Sequence, residues 1–543
     1  MGGHLEIERK FAVGASFVLP RLDDVGRAAG VAATTEPETF TQEAVYYDSE
    51  DLRLASAKIT LRRRVGGTDD GWHLKLPAGV GAREEIHRPL SAAEPDERGI
   101  AHGAPPADLL DIVFLHLRGA RVSPVARLVT TRGATRLLDL AGEPLAEVVD
   151  DRVRAQTLGE RAVLRQWREI EVELLTQPDA PATNGASAGG NGTRLLDEVE
   201  AALRAAGATD APHGSKLAQV LSLANTAPPE PAPRPAPELL ARRRRRGGVA
   251  AGEVLRVYLS AQVEALLAAD PRVRMDEPDA VHKMRVATRR MRSTLRTFAS
   301  LFPADLVAHL DLELGDLARS LSGARDSEVQ LAYFDGRLAA LPSDLVLGPI
   351  EESLAGHLKA GMAEGRAEAL AALRAERYLV LLVDLADLVR APLTGRARRP
   401  AATELRELVR VADRKLVVKV AKAAATAAGP DRDVLLHSAR KQAKRLRYAG
   451  EALVPIFGAD AKALARLSEE AQELLGTHQD ATVAAGLLRS WGVAAQEAGD
   501  STAFTYGLLL GLEELRARVA EREFFDAWPA LSDSRDRRWM KKK

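Results

Sequence analysis

The chain is expected to fold as an α+β, multidomain protein. An N-terminal eight-stranded antiparallel β-barrel tunnel with flanking helices is followed by an all-α domain of two pseudo-repeated helical bundles. Three observations predict this. Before a proline-rich stretch, short runs alternate in hydropathy with turn residues between them. After it, Ala, Leu, Arg and Glu dominate and apolar residues recur every three to four positions. Within that second part a basic motif opening on histidine occurs twice.

Strands are expected at Leu5–Val13, Thr41–Asp48, Ile59–Val65, Trp72–Leu76, Glu84–Pro89, Ala126–Arg132, Leu145–Asp151 and Gln166–Leu175. Closing such a sheet into a barrel removes its edges. Short helices fit near Leu19–Ala29 and Leu195–Ala206, and Gln177–Gly192, rich in Ala, Gly, Asn and Pro, reads as a loop. The run APPEPAPRPAP at 227–237 reads as an extended, semi-rigid linker. The expected domains are therefore 1–225 and 242–540, joined by a linker at 226–241.

A length of 543 residues is too great for one core. The absence of cysteine excludes disulfides, thiolate metal sites and a thiol nucleophile. No signal peptide pattern is read at the N-terminus, and Asp384 and Asp387 interrupt the most apolar run, Tyr378–Val389. A cytoplasmic address without a membrane partner is expected. The formal net charge of +0 hides an asymmetry: residues 1–241 hold 27 basic and 35 acidic side chains, the remainder 49 and 41. An acidic part suits metal and a basic part suits anions.

Alternation places Glu6, Glu8 and Lys10 on one face of the first strand and Leu5, Ile7 and Phe11 on the other. For one strand alone a solvated charged face would suffice. The pattern recurs, however. Arg62 and Arg64 share a face, with Lys75 in the next strand. Arg83, Glu85 and His87 alternate, Arg132 and Arg136 share a parity, and so do Glu147 and Asp151, then Glu169, Glu171 and Glu173. Charges of both signs on one face, strand after strand, make a poor exterior and a sensible tunnel lining. Carboxylates supply oxygen ligands for hard Mg²⁺ or Mn²⁺. Arginine forks and lysine point charges hold phosphate oxygens, and phosphoryl transfer needs little beyond positioning and neutralisation.

The ordered set Glu6-x-Glu8-x-Lys10, Tyr47-Asp48, Leu61-Arg62-Arg63-Arg64, Leu74-Lys75, Arg83-x-Glu85, Glu169-x-Glu171-x-Glu173 and Ser215-Lys216 resembles the CYTH family, the triphosphate tunnel metalloenzymes, over about residues 1–225. The resemblance implies a tunnel that binds a triphosphate with a divalent metal and hydrolyses it. Carried over, Lys10, Arg62, Arg64, Lys75, Arg132 and Lys216 would grip phosphates, with Arg83 and Arg136 beside them. Glu6, Glu8, Glu171 and Glu173 would hold metal, with looser assignments at Glu85, Glu147 and Glu169. Asp151 joins this set, or Asp150 if the register slips by one. Glu6, Glu8 and Lys10 are the expected catalytic groups.

In the second part, His282, Arg285, Arg289, Arg292 and Arg296 form one helical stripe, and His437, Arg440, Lys444 and Arg447 another. Like charges at such spacing cost a few tenths of a kcal/mol per pair, about 0.2–0.5, so a duplicated stripe points to a polyanion that relieves them. Val281, Met284, Met291, Leu295 and Phe298 form the opposite, apolar row for packing. Lys283, Arg290, Lys441 and Arg445 flank the stripes, and Lys415, Lys419 and Lys422 extend the field from another helix. Each stripe is followed by a glycine motif, Leu321–Asp326 and Leu475–Asp480. Its glycine is expected to end or bend a helix, and its aspartate to cap the next helix or orient a basic side chain. A lone helical histidine is usually a surface residue, but recurrence at the same place supports phosphate contact. A metal role is not expected for either histidine.

These features resemble the CHAD family, the conserved-histidine α-helical domains, over about residues 245–535. That resemblance implies two pseudo-symmetric bundles around a basic cavity that binds inorganic polyphosphate. The second glycine motif departs by one extra residue between its glycine and its aspartate, and Ser438 stands where Lys283 does. Aromatic residues are 4% of the chain and no recognition motif is seen, so nucleic acid is not an expected partner. The run Arg242–Arg246 reads as a solvated boundary segment.

The expected function is metal-dependent hydrolysis of a triphosphate, with polyphosphate held by the helical domain and association with polyphosphate granules. Tripolyphosphate is favoured over thiamine triphosphate and nucleoside triphosphates because no base- or thiazole-recognition element is found. The alternatives are an adenylate cyclase of the class IV type, a non-catalytic polyphosphate-binding or targeting protein, and a helical scaffold for nucleic acid or protein.

Overall fold

The computed structural model describes every residue except 1–3, 23–24, 26, 68, 80–81, 91–102, 160–161, 176–187, 222–247, 394, 534, 536 and 542–543. The expected linker at 226–241 and the arginine run Arg242–Arg246 lie outside the described residues. The chain divides into two compact units, Met1–Glu230 and Pro231–Lys543.

In the first unit eight antiparallel strands close on themselves. They are β1 (His4–Val13), β3 (Glu38–Asp48), β4 (Thr60–Val65), β5 (Gly71–Gly79), β6 (Ala82–Arg88), β7 (Ser123–Leu138), β8 (Pro144–Thr157) and β9 (Leu164–Leu174). The ring runs β1-β6-β5-β4-β3-β7-β8-β9 and returns to β1. Two short strands, β2 (Ala33–Thr34) and β10 (Thr209–Asp210), add to β7 and β1. Each predicted strand exists, and β7 and β8 extend well beyond the expected bounds because they pair with each other from Ala126–Thr157 to Leu138–Pro144.

The helix expected near Leu19–Ala29 is a single 3₁₀ turn, Arg27–Ala29, among the described residues. The expected loop to Gly192 is shorter than predicted, because helix α4 already begins at Ala188 and runs to Ala205. Leu195, Leu196, Val199 and Leu203 of α4 bury against Phe11, Val148, Ile170 and Val172, the outward row of β1, β8 and β9. That contact holds the sheet's exterior dry.

At one end the inward positions turn apolar. Ala44, Tyr46, Ala126, Leu128, Val153 and Ala155 cluster there with Leu217 and Val220 of the short helix α5 (Lys216–Leu221). Three further short helices, α1 (Arg53–Ser56), α2 (Ala107–Ile112) and α3 (Phe114–Leu117), complete the unit's described helices.

The second unit is helical: α6 (Ala251–Arg274), α7 (Ala280–Thr297), α8 (Ala304–Ser320), α9 (Ser322–Ala339), α10 (Ile350–Arg374), α11 (Glu376–Arg390), α12 (Ala401–Ala425), α13 (Pro430–Phe457), α14 (Ala459–Glu497) and α15 (Thr502–Leu531). The basic stripes lie on α7 and α13. Of the predicted apolar row, Met284, Met291, Leu295 and Phe298 are buried. The helices α7 and α13 meet at Tyr448, where the guanidinium of Arg290 sits 5.6 Å from the ring centroid and that of Arg447 5.7 Å. No helix of the described residues is long and apolar enough to cross a membrane.

Gly476 neither ends nor bends a helix, contrary to expectation. It sits within the continuous helix α14. A Cβ there would lie 3.6 Å from Arg440 Nε, an ordinary van der Waals contact. Gly323, near the start of α9, lets the backbone of Gly365 approach: a Cβ would stand 3.1 Å from its Cα.

Candidate functional site

Register decides which charges face inward, because residues directly opposite in an antiparallel pair share a face. Around the ring, Glu6 faces Arg83, Glu85 faces Lys75, His73 faces Arg62, and Arg62 faces Tyr46. Phe40 faces Arg132, Arg132 faces Asp151, Asp151 faces Glu169, and Glu171 faces Lys10 back on β1. The parity is kept through the full circle. Asp150 has the opposite parity and pairs outside with Arg168 at 2.8 and 2.6 Å, so Asp151 is the inward residue.

One group centres on Lys216 at the start of α5. Its Nζ lies 2.9 Å from Asp151, 2.6 Å from Glu169 and 2.8 Å from Glu171. Lys10 also pairs with Glu171, and with Glu8 at 3.1 Å. Arg132 grips Asp151 through two bonds of 2.8 and 2.7 Å and reaches Glu171 at 3.2 Å. Burial works against the Lys216 and Lys10 charges, yet the facing carboxylates outweigh it and raise both lysines above their usual range. The same cations hold Glu171 well below the usual carboxylate range despite its burial.

A second group lies on β1, β4, β5 and β6. Lys75 donates to Glu6 at 2.5 Å and stands 3.6 Å from Glu85, which is 3.5 Å from Arg62. Burial, with Glu85 beside it, pushes the Glu6 carboxyl up to about 8. Arg64 pairs with Asp69, and burial together with neighbouring Arg62 disfavours its charge. Arg83 sits 4.0 Å from Glu8 and donates to the Gly214 carbonyl at 2.6 Å. Arg136 and Glu147 pair at 3.1 Å where the Arg136 side chain is 53% exposed, which puts them toward solvent rather than in the buried centre.

The carboxylates fit a divalent metal. Asp151, Glu169 and Glu171 bring oxygens within 4.8 Å of one another, and the Lys216 ammonium already pairs with all three. Glu173 makes no hydrogen bond or ion pair among the described residues. Burial raises its pKa, Lys75 opposes the rise, and Glu8 and Glu171 add to it. Glu6 and Glu173 are thus buried acids whose charge Lys75 offsets only in part, and hard oxygen donors of this kind suit a divalent cation.

Three inward residues escaped the sequence reading. His73 is buried, with Nδ1 2.8 Å from Glu85 and Nε2 2.9 Å from the Asp69 carbonyl. Trp167 donates from Nε1 to Glu169 at 2.6 Å. Tyr46 faces Arg62 at 3.4 Å; burial opposes its ionisation, but Arg62, Lys216 and Lys10 outweigh it and lower its pKa. Period-two parity with Arg62 and Lys75 was the available signal for His73.

In the helical unit the stripes divide into engaged and unengaged cations. Arg292 and Arg296 both bind Asp311, at 2.9 and 2.5 Å. Arg447 binds Glu451 at 3.1 Å and Glu469 at 2.8 Å, and Arg290 binds Glu451 at 3.2 Å. Arg289, Arg440 and Lys444, by contrast, make no hydrogen bond or ion pair among the described residues, and the Nε atoms of Arg289 and Arg440 are buried without a partner. Burial together with Arg440 and Arg289 pushes Lys444 down to about 7. Asp480 lies inside α14 rather than at a helix start, close enough to favour the Arg440 and Lys444 charges. The side chain of its counterpart Asp326 lies outside the described residues.

Burial with Lys441 lowers the His437 pKa, and neighbouring Gln479 opposes the shift. Arg285 reaches the Ser322 carbonyl at 3.5 Å, and His282 and Lys283 are exposed. Ser438, at the place of Lys283 in the repeat, accepts from Lys419. Burial lowers Lys419, and Arg445, Lys441, Lys415 and Lys422 add to the effect, so these five cations form one crowded patch.

A closed barrel with a charged interior, carried in one chain with a helical unit built on two basic helices, defines a two-module protein of tunnel and bundle. The chain belongs to the CYTH–CHAD proteins: the CYTH domain model matches residues 4–186 and the CHAD domain model residues 257–489. It is 39% identical over 535 residues to an uncharacterised protein of Mycobacterium tuberculosis, covering 96% of this chain and 94% of that one. Among solved structures it is similar to the CHAD domain from the plant Ricinus communis (24% identity, 52% of this chain, 92% of that chain, TM-score 0.42). It is also similar to PptA from Streptomyces chartreusis (24% identity, 52% and 99%, TM-score 0.41).

Proposed function

We propose that the barrel is a metal-dependent triphosphatase acting on inorganic tripolyphosphate, and that the helical unit binds inorganic polyphosphate. The observation that carries the first part is the unbroken inward parity of Lys10, Arg62, Lys75 and Arg132 with Glu6, Glu8, Glu171 and Glu173, joined by Lys216 from the start of α5. Five cations suit a chain of phosphates, and surplus carboxylates suit its counter-metal.

In this reading Lys10, Arg62, Lys75 and Arg132 hold phosphate oxygens, and Arg83 adds to them near Glu8. Glu6, Glu8 and Glu173, with Asp151, Glu169 and Glu171, would hold Mg²⁺ or Mn²⁺, which when bound polarises phosphoryl oxygens and acidifies water. Glu85, fixed by His73, keeps Arg62 and Lys75 aligned. Leu217 and Val220 exclude water from one end of the barrel, which strengthens every charge interaction within.

For the helical unit, the supporting observation is that Arg289, Arg440 and Lys444 come together from both repeats without a hydrogen bond or ion pair among the described residues, with Asp480 near Arg440 and Lys444 offsetting part of their charge. A polyanion relieves that repulsion.

The test is phosphate release from tripolyphosphate, ATP and thiamine triphosphate by the full chain with Mg²⁺, Mn²⁺ or EDTA, alongside polyphosphate binding. Metal-dependent release, fastest on tripolyphosphate, is expected. Cyclic nucleotide formed from ATP, or no turnover of any substrate, overturns the triphosphatase reading. Polyphosphate binding unaffected by loss of Arg289 and Lys444 overturns the second part.

A further inference from the structure

Away from the barrel lining and the basic stripes, three helices of the second unit bring one histidine and two carboxylates together. Asp433 lies in the first turn of α13, His478 in the middle of α14 and Glu521 on α15. One ligand-type atom from each lies within 4.8 Å of the other two. His478 is 3% exposed; its Nε2 is 3.2 Å from Asp433 Oδ1, and its Nδ1 has no hydrogen-bond partner. Arg432 donates to Glu521 Oε1 through NH1 and to the Thr426 carbonyl at 2.7 Å through Nε.

We propose that Asp433, His478 and Glu521 bind a divalent first-row transition metal ion of the Zn²⁺ or Mn²⁺ type. The donor set is the first reason. One imidazole and two carboxylates, each from a different helix, form a mixed nitrogen and oxygen set that such ions take while keeping positions for water.

The spacing is the second. Ligand bonds of about 2.0–2.2 Å set neighbouring ligand atoms about 3 Å apart, and the Nε2 to Oδ1 separation of 3.2 Å falls there. Charge is the third. Among the described residues Arg432 takes one oxygen of Glu521, so a carboxylate surplus remains beside the buried imidazole. The Asp433 side chain, 34% exposed, leaves the ion a path from solvent.

The site has a consequence for its surroundings. His478 is followed directly by Gln479 and Asp480, which meet His437, Arg440 and Lys444. An ion held by His478 braces α14 against α13 and α15 behind the unengaged cations. Metal binding here does not depend on what those cations bind, so it stands or falls separately from the polyphosphate reading.

The experiment is equilibrium dialysis of the full chain against Zn²⁺, comparing wild type with His478→Ala and Asp433→Asn. Zn²⁺ diffraction from wild-type crystals, read at the anomalous edge, accompanies it. The expected result is one fewer ion bound, or at least tenfold weaker binding of one ion, in either variant, with triphosphate turnover unchanged. An anomalous peak at bonding distance from all three residues is expected in the wild type. Equal stoichiometry and affinity in wild type and a folded variant overturns the proposal. The absence of that peak from Zn²⁺-soaked wild-type crystals also overturns it, and needs no variant to fold.

Discussion

Lys216 Nζ and Asp151 Oδ2 stand 2.9 Å apart inside the barrel, one on the helix that fills its end and the other on a central strand. The lysine thereby pairs with a wall of three carboxylates. Removing it leaves Asp151, Glu169 and Glu171 facing Arg132 and Lys10 alone. A broken buried pair of this kind costs about 3–5 kcal/mol. Lys216→Met is therefore expected to melt earlier than wild type without metal. Mn²⁺ should raise its melting temperature more than it raises that of wild type, because the ion replaces the lost positive charge. Equal Mn²⁺ effects on the two proteins in a thermal melt would contradict this account.

The two proposed activities should separate by mutation. Glu8→Gln removes a charge beside Lys10 and is expected to lower kcat by about 100-fold or more, the scale of single electrostatic groups at charged transition states. Polyphosphate affinity should stay at the wild-type value. Arg289→Glu combined with Lys444→Glu should do the reverse. Turnover and polyphosphate titration measured on both proteins check the separation, and joint loss in either one would refute it.

Along one stripe the arginines should not be equivalent. Arg296 is tied to Asp311, so Arg296→Ala is expected to change polyphosphate affinity less than threefold. Arg440→Ala, which deletes an unengaged cation, should weaken binding about tenfold and reduce the dependence of log affinity on log salt by about one ion, by analogy with phosphate contacts in nucleic acids. Titrations at several salt concentrations distinguish them; similar losses for both would mean the ion pair with Asp311 gives way to the ligand.

Lys444 supplies a pH dependence. Its folded pKa, about 7, lies below the ordinary value of 10.5. Between those values the unfolded chain binds the extra proton and the folded one does not, so stability contributed here rises with pH across that window. A bound polyanion favours the charged form. Binding should therefore take up a proton above about pH 7 and weaken as pH increases further. Calorimetry in buffers of different ionisation enthalpy reads that uptake directly. Proton uptake that survives unchanged in Lys444→Met would assign it to another group.

Much of the barrel site was legible because strand side chains alternate with period two. Glu6 and Glu8, Arg62 and Arg64, and Glu169, Glu171 and Glu173 could each be placed on one face within their own strand. The choice between Asp150 and Asp151 was not legible, since it depends on pairing with Arg132 across β7 and β8. His73 was passed over because a single histidine in a strand has no distinguishing pattern until Glu85 is brought beside it. Gly476 was not legible because glycine is a helix breaker in isolation, whereas here it sits inside a continuous helix.

The sequence by itself determined the two-part architecture, the inward charges of the barrel and the duplicated basic helices, because periodicity and repetition are local properties of the chain. Only the tertiary structure decided which charges are engaged. Arg292, Arg296 and Arg447 meet Asp311, Glu451 and Glu469, while Arg289, Arg440 and Lys444 meet one another. Coulomb energy depends on distance between groups, and distances across helices and strands exist only once the chain is packed.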